Sequence, residues 1–592
     1  MSRCRLPATC VVSLFALILS STADGQVVGV RSVTPDAAGP TVTALKAAQL
    51  EFEAFRRDRL PGMSVSRGGS GACDERVGRF CYWYDESSPP PPREPQSIVD
   101  ARLTLIARLD SNARAFPGER WTSGQVVRYL TEAGRFDDAI AAARRCRVDG
   151  WWCFALQGFA LHMASRYHDA DSLFAIALDA MPTGERCDWR DMKLILDDLL
   201  LKDYRDFNCT RRVPFENRIW WLAKPMFSSP GNDARTEYYA RVMYAHFIED
   251  APSVQTLGFG EDEDERELSL RYGWARQFTR ENGGPFGARG GITGHEPTPA
   301  HPMLPMAASV RNPALSDSSG WRGKGLPGVR ARYHAAYAKR LLPLPHQAAL
   351  FRRGDSAVVV VAYDVGSDAA FPEAANAKDL TAALVLTRGE ESDATIVRLD
   401  APPPHPRGVM VATSAWGPTL MSAEVAAPSA RILARARYGL RASDMPGSRV
   451  QVSDLLIFDP YDDMPETLED VTPHARPGVT MKPDSRIGIY WETYNTRPTG
   501  EAMQVSITVA PEDSDGSGNW LRKGLTALRL IREAKPVSVG MRDVSARGRG
   551  YTPRSVVVDL TSLKPGRYAL ELEIAAEGTI PVRASRIVVI SR

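Results

Sequence analysis

The stretch that decides the architecture runs from Phe215 to Gly273. It reads FENRIWWLAKPMFSSPGNDARTEYYARVMYAHFIEDA over 215–251, then a glycine-acid loop GFGEDEDERE over 258–267, then LSLRYG over 268–273. Asn232 follows Pro230-Gly231, where its side chain can accept a hydrogen bond from a free first-turn amide, which predicts a helix N-cap. Beyond it Tyr239, Val242, Met243, His246 and Phe247 recur at helical spacing and make one apolar face. Glu216 to Ala223 predicts a shorter helix that carries Trp220 and Trp221 and stops before Pro225. Leu268 to Tyr272 alternates like a short strand and ends at Gly273. Glu237 and Arg241 stand four apart on the longer helix, so they face each other across one turn. The pair reads as a surface or domain contact, with a ligand-binding Arg as the sharper alternative. The acidic run Glu261 to Glu267 reads as a solvated loop; its oxygens suit calcium, but no ligand spacing is recognisable.

Trp220, Pro225, Pro230 with Asn232, Glu237, Arg241 and the closing Arg271-Tyr272-Gly273 form a pattern. In these residues the stretch resembles the GWxTD-domain family of secreted bacterial proteins. It departs at the name-giving motif: Gly258-Phe259-Gly260-Glu261-Asp262 stands where the family has Gly-Trp-x-Thr-Asp. The resemblance implies architecture and export rather than a reaction, and it adds Arg271 to Glu237 and Arg241 as functional or structural contacts.

The chain has 592 residues, 44% of them hydrophobic, which is enough for about three to five domains with real cores. The formal charge of +2 gives no strong pull toward nucleic acid or an anionic membrane. Residues 1–25 read as a secretory signal: Arg3 and Arg5 start it, and Val11 to Leu19 is an apolar core too short to span a bilayer. Small residues at Ser21-Thr22-Ala23 and Ala23-Asp24-Gly25 suit cleavage, which predicts a periplasmic or secreted protein. The cysteines beyond it are Cys73, Cys81, Cys146, Cys153, Cys187 and Cys209. An even number in an oxidising compartment favours disulfides, although sequence leaves many pairings open. Neighbour pairing is the expectation: Cys73 with Cys81, Cys146 with Cys153, Cys187 with Cys209.

Residues 26–97 form a loose N-terminal segment, with Ala44 to Arg57 helix-compatible and a Pro-rich stiff linker at Ser87 to Pro95. Residues 98–206 are helical in pattern. Ala133-Gly134-Arg135-Phe136-Asp137-Asp138-Ala139 and Ala164-Ser165-Arg166-Tyr167-His168-Asp169-Ala170 echo one another 31 residues apart. Each places a small residue, an aromatic and an Ala as in the tetratricopeptide repeat, which it resembles. Gly158, Leu161, Phe174, Ala177 and Pro182 extend the second match. Flanking helices at Ile98 to Leu109 and Arg190 to Leu201 supply the neighbours that such units need for burial. Trp151 and Trp152 read as core or cap residues. The array implies a peptide or protein partner.

The central GWxTD-like segment is set at 207–282. Residues 283–342 are a Gly/Pro-rich connection. Its His295-Glu296 and His301 do not fit a zinc helix, because Pro297 and Pro299 forbid one. Val329 to Leu341 suggests a short helix, with Arg330, Arg332, Lys339 and Arg340 making a solvated basic face. From Leu344 the period becomes two. Ala357 to Tyr363, Leu380 to Leu386, Thr395 to Leu399, Val409 to Ser414, Ala430 to Leu440 and Val450 to Phe458 predict one β-sandwich over 343–460. Arg486 to Glu492, Met503 to Val509, Ser555 to Leu560, Arg567 to Ile574 and Arg583 to Ile590 predict a second over 461–592. Asp559 to Tyr568, with its Pro565-Gly566 turn, resembles the closing hairpin of bacterial immunoglobulin-like sandwiches and the C-terminal part of GWxTD-type proteins. Asp513, Asp515, Ser517 and Asn519 imitate the start of a calcium loop, yet position 524 is Gly and the closing acid is missing. Asp459 to Asp463 reads as a turn between the sandwiches.

The fold class is therefore multidomain α + β. No nucleophile elbow, phosphate loop or partnered Ser or Cys is recognisable, so catalytic, cofactor and metal residues are set at none. The expectation is an exported, non-enzymatic interaction or scaffold protein of the bacterial envelope. The alternative is an envelope hydrolase acting on glycan or peptide with its site near the central segment.

Overall fold

A computed structural model describes residues 41–64, 75–83, 89–251, 263–281, 291–295, 301–321, 330–366, 377–399, 406–441, 449–482, 485–512, 537–548 and 550–591. The signal reading, Cys73, Glu296, the 258–262 loop and the 513–519 loop lie outside them. The chain is mixed α and β. The helices of the first half are α1 (Val42–Asp58), α2 (Gln96–Ala115), α3 (Arg120–Glu132), α4 (Phe136–Arg145), α5 (Trp152–Met163), α6 (Tyr167–Ala180), α7 (Thr183–Arg190), α8 (Asp198–Arg205), α9 (Cys209–Ala223), α10 (Asp233–Glu249) and α11 (Glu263–Tyr272). Short helices α12 (Ala307–Arg311) and α13 (Leu468–Val471) follow.

The two echoing motifs turn the chain in the same way. Gly134 has φ +70° and Ser165 has φ +60°. In each case the next N–H reaches five residues back: Arg135 N to Leu130 O and Arg166 N to Leu161 O, both 2.9 Å. A left-handed residue at that place satisfies carbonyls that the ending helix would leave open. Gly158 lets α6 close on α5, since a Cβ there would stand 3.1 Å from the Phe174 ring. Trp151 and Trp152 are buried, as expected. Cys146–Cys153 and Cys187–Cys209 are disulfides with Cα atoms 5.6 and 5.7 Å apart. Cys81 is disulfide-bonded as well.

α10 begins at the Asn232 cap, which accepts from Arg235 N at 3.1 Å and donates to Trp220 O at 2.7 Å. It packs against α3, α5 and α6. Phe247 meets Phe159 edge-on at 5.1 Å, Tyr239 meets Phe174 at 5.6 Å, and Gln125 Nε2 donates to Phe247 O at 2.9 Å.

The strands are β1 (Gly62–Met63), β2 (Glu75–Val77), β3 (Phe80–Tyr82), β4 (Gln277–Glu281), β5 (Ile292–His295), β6 (Arg340–Pro343), β7 (His346–Arg353), β8 (Ser356–Asp364), β9 (Thr381–Thr387), β10 (Thr395–Leu399), β11 (Arg407–Ala415), β12 (Thr419–Ala427), β13 (Ile432–Leu440), β14 (Gln451–Val452), β15 (Leu456–Phe458), β16 (Thr480–Met481), β17 (Arg486–Tyr494), β18 (Ala502–Pro511), β19 (Val537–Val544), β20 (Tyr551–Asp559), β21 (Gly566–Ala576) and β22 (Val582–Ile590). Sheet order β10-β9-β12-β13-β6 faces β11-β8-β7 across one core, with Val359, Leu384, Met421 and Ile432 inside. A second core, with Ile489, Trp491, Val505 and Leu570, lies between the β17 sheet and β16-β22-β21-β18-β19. Phe351, Val360, Phe458 and Tyr490 form a third layer, because β7, β8, β15 and β17 bury both their faces. The other face of the five-stranded sheet gives Val385, Leu420 and Leu433 to the helical core.

Several expectations are corrected. Leu268 to Tyr272 is the last part of helix α11, and Glu263 to Glu267 belongs to the same helix rather than to a loop. Acids in a first turn suit the positive helix N-terminus, and five alternating residues fit either period. Val329 to Leu341 is not a helix in its described part: residues 330–339 run as an irregular strap with a turn at Ala336-Tyr337, and β6 starts at Arg340. Its backbone is spoken for by tertiary partners, described below. Arg190 to Leu201 is not one helix; α7 ends at Arg190 and α8 starts at Asp198, with Asp197 capping it through Leu200 N at 2.8 Å. Val450 to Phe458 is two short strands, both paired with β17. β7, β12 and β19 were not foreseen.

Candidate functional site

Asp233, Thr236, Glu237 and Arg241 share one face of α10 at helical spacing. His162 of α5 spans two of them: Nδ1 lies 2.9 Å from Thr236 Oγ1 and Nε2 lies 2.7 Å from Glu237 Oε2. Arg241 Nε donates to Glu237 Oε1 at 2.7 Å, as the spacing of the two residues predicts. Burial alone would raise the Glu237 carboxyl, but Arg241 and His162 outweigh it and hold it well below the ordinary carboxylate range. One turn earlier, burial pushes Asp233 up to about 6, even though the Tyr333 and Tyr337 hydroxyls donate to Oδ2 at 3.2 Å.

The sequence-predicted arginines converge on the strap. Arg241 donates from Nη1 to Leu270 O and from Nη2 to Arg332 O, each 2.9 Å. Arg271 donates from Nε to Arg330 O at 2.9 Å and pairs with Glu267 and Glu75. Arg332 N returns a bond to Arg271 O at 2.8 Å. Glu237, Arg241 and Arg271 thus form one framework that pins residues 330–333 across α10. His334 is in the same strap, and burial, reinforced by Arg431 and His301, pushes it down to about 4.

On the far side of the strap lies a cavity of about 490 Å³. The strap bonds to a partner segment through Met303 N to Ala331 O and Tyr333 N to His301 O. Met303, Leu200 of α8, Leu222 of α9, Leu341 of β6 and Trp321 give the cavity mostly apolar walls, and Arg435 of β13 enters it as a charge. Neither Glu237, Arg241 nor Arg271 lines it. Of its charged or titratable lining, His301 and Arg330 were named from sequence, whereas Arg435 and Arg437 were not. The signal was present in ILARARYGL, where Arg435 and Arg437 recur at the two-residue period and so share one sheet face.

Arg437 and Glu424 bolt the sheet to the helices. Both side chains are 0% exposed, 3.3 Å apart. Glu424 accepts from the backbone of Phe227 and Ser228 at 2.7 and 3.0 Å and from Ser228 Oγ at 2.6 Å. Arg437 donates to Leu222 O, Lys224 O and Pro225 O, and its guanidinium lies over the Phe227 ring at 3.6 Å. The Lys224 to Ser228 segment is therefore shaped by strands some two hundred residues later.

The other motifs have structural partners. His295 Nε2 meets Thr279 Oγ1 at 2.7 Å, and His301 Nε2 lies between Lys339 O and Leu341 N. Asp459 pairs with Arg476 at 2.7 Å and Arg407 at 3.1 Å. Among the described residues no group of three or more His, Cys, Asp or Glu is placed to hold a metal ion, and no helix is long and apolar enough to cross a membrane.

No family model matches the chain, and no curated protein matches it. Among solved structures, red sea bream transglutaminase aligns at 12% identity with a TM-score of 0.15, over 43% of this chain and 32% of that one. The match therefore spans less than a third of the transglutaminase. At that score it carries no argument about fold or activity.

Proposed function

We propose that this chain is an exported, non-enzymatic scaffold or protein-interaction protein of the bacterial cell envelope. In this reading it carries tetratricopeptide-like hairpins α3/α4 and α5/α6, a GWxTD-like centre and two immunoglobulin-like sandwiches. One observation carries it: the buried charges of the centre are spent on holding segments together. Arg241 and Arg271 pin the strap, and Glu424 with Arg437 joins helices to sheet. The disulfides suit an oxidising compartment.

The inner face of α3 and α5 is covered by α10. A protein or peptide partner of the repeats is therefore assigned to the outer face of α4 and α6, where Ile176 is 46% exposed. Capture from an envelope extract tests this. The parent should retain a partner that Ile176→Glu loses with its helical content unchanged. Equal capture by both would remove the repeats from the role.

The hydrolase alternative has one observation in its favour. Asp233 and Glu237, a turn apart, have carboxyls driven in opposite directions, an arrangement that suits an acid and base pair. Turnover of a glycan or peptide panel, lost in Asp233→Asn and Glu237→Gln with the fold kept, would favour it. A flat panel would leave the pair structural.

A further inference from the structure

Among the described residues, the cavity beside the strap holds one charge that no acid or second hydrogen bond answers. Its other charged or titratable neighbours are engaged. Arg330 pairs with Asp198 at 2.6 Å, Arg437 with Glu424, Asp197 caps α8, and His346 meets Leu344 O and the Tyr438 hydroxyl. Arg435 differs. Its single hydrogen bond among the described residues runs from Nη1 to Pro225 O at 2.9 Å. No carboxylate lies within ion-pair distance of it among those residues. Glu424, the acid nearest in effect, already accepts from Phe227, Ser228, Ser422 and Arg437.

Among the described residues, the bond to Pro225 leaves Nε and Nη2 without a hydrogen-bond partner. These two N–H groups lie on one edge of the guanidinium, and that edge matches the two oxygens of a carboxylate. Arg435 is half-buried, and a guanidinium drawn partly out of water gains by meeting an anion. Around it are Leu200, Leu222, Met303, Leu341 and Trp321. A concave, mostly apolar space of a few hundred Å³ with few polar groups is the general form of a small-ligand site.

We propose that this cavity binds a monocarboxylate with a long apolar body, the carboxylate seated on the Nε–Nη2 edge of Arg435 and the chain lying against Leu200, Leu222, Met303, Leu341 and Trp321. The site needs neither a protein partner nor a reaction and stands apart from the scaffold reading. One unanswered charge among mostly apolar walls selects against dianions and against polar solutes.

Calorimetric titration of the full chain with decanoate, dodecanoate and dodecanol tests it. The carboxylates should bind and the alcohol should bind at least roughly tenfold more weakly, the worth of a charge-assisted hydrogen-bond pair. Arg435→Met should bring dodecanoate down to the level of dodecanol while leaving dodecanol unchanged. Leu341→Trp, which fills the cavity and keeps Arg435, should abolish both, and it decides the matter if Arg435→Met does not fold. Absence of dodecanoate binding to the folded parent, or equal dodecanoate binding by parent and either folded variant, would overturn the assignment. A short apolar peptide with free or amidated C-terminus, titrated beside them, distinguishes a peptide carboxylate from an acyl one.

Discussion

Ser165 stands at φ +60°, the place that Gly134 takes at +70° in the preceding hairpin. A Cβ in the left-handed region costs about 1 kcal/mol. Ser165→Gly should therefore stabilise the chain by about that amount in urea denaturation, and Gly134→Ala should destabilise it comparably. Asp233 gives a prediction with a sign. Its folded pKa is raised from 3.8 to about 6, so the folded state holds its proton more tightly than the unfolded state does. Its contribution is intact below about 4 and is lost as pH rises through about 6. His334, lowered from 6.5 to about 4, acts oppositely: its contribution is present above 6.5 and lost as pH falls toward 4. The two oppose each other in one window, so a single stability curve conceals both. Asp233→Asn removes one of them. The variant's stability relative to the parent should rise from pH 4 to 6 and level off above, by up to about 3 kcal/mol. A difference that stays flat with pH would show that Asp233 keeps an ordinary carboxyl in the folded chain.

The helices were largely readable because their signals are local. Asn232 caps α10, Pro225 lies just beyond α9, and the two hairpins repeat their turn residues. β12 was not readable, and the reason is burial. All nine residues of TLMSAEVAA are buried, one side against the sandwich core and the other against the helices, so no polar alternation survives. A Glu in that run argues against a core strand until the Phe227 and Ser228 amides are seen to meet it. The strap at 330–339 failed in the other direction. Basic residues at helical spacing suggested a solvated helix, whereas Arg241 and Arg271 take its carbonyls and Asp233 takes its tyrosine hydroxyls. The staple at the α4–α5 connection is local enough to have been foreseen. Replacing Cys146 and Cys153 by Ala should cost about 2–3 kcal/mol for a closed loop of that size. Alkylation of a chain that starts at residue 26, without reductant, should leave its intact mass unlabelled.

In the assembled chain the helical core runs into the outer face of the five-stranded sheet, and the first sandwich runs into the second. Two buried acids are the joints. Glu424 receives the Phe227 and Ser228 amides, and Glu492 receives Arg353 at 2.5 and 2.8 Å with the Tyr490 and Tyr494 hydroxyls. Breaking such a joint strands the opposite charge in a dry place, at a cost of about 3–5 kcal/mol. Glu424→Ala should therefore split the calorimetric transition, the helices melting ahead of the sandwiches. One cooperative transition at an unchanged midpoint would mean that apolar contact alone joins them.

Sequence by itself determined the periodicities, the caps, the turns and the neighbouring cysteine pairs, because each depends on residues a few positions apart. It also placed Glu237 and Arg241 on one turn. Only tertiary structure decided where those charges point, that α10 fills the face of the hairpins, and that Arg435 ends in a cavity with no carboxylate at ion-pair distance among the described residues. Those outcomes come from burial and from pairings between residues that stand from about thirty to about two hundred positions apart. A buried charge takes its meaning from the group that meets it, and no local pattern names that group.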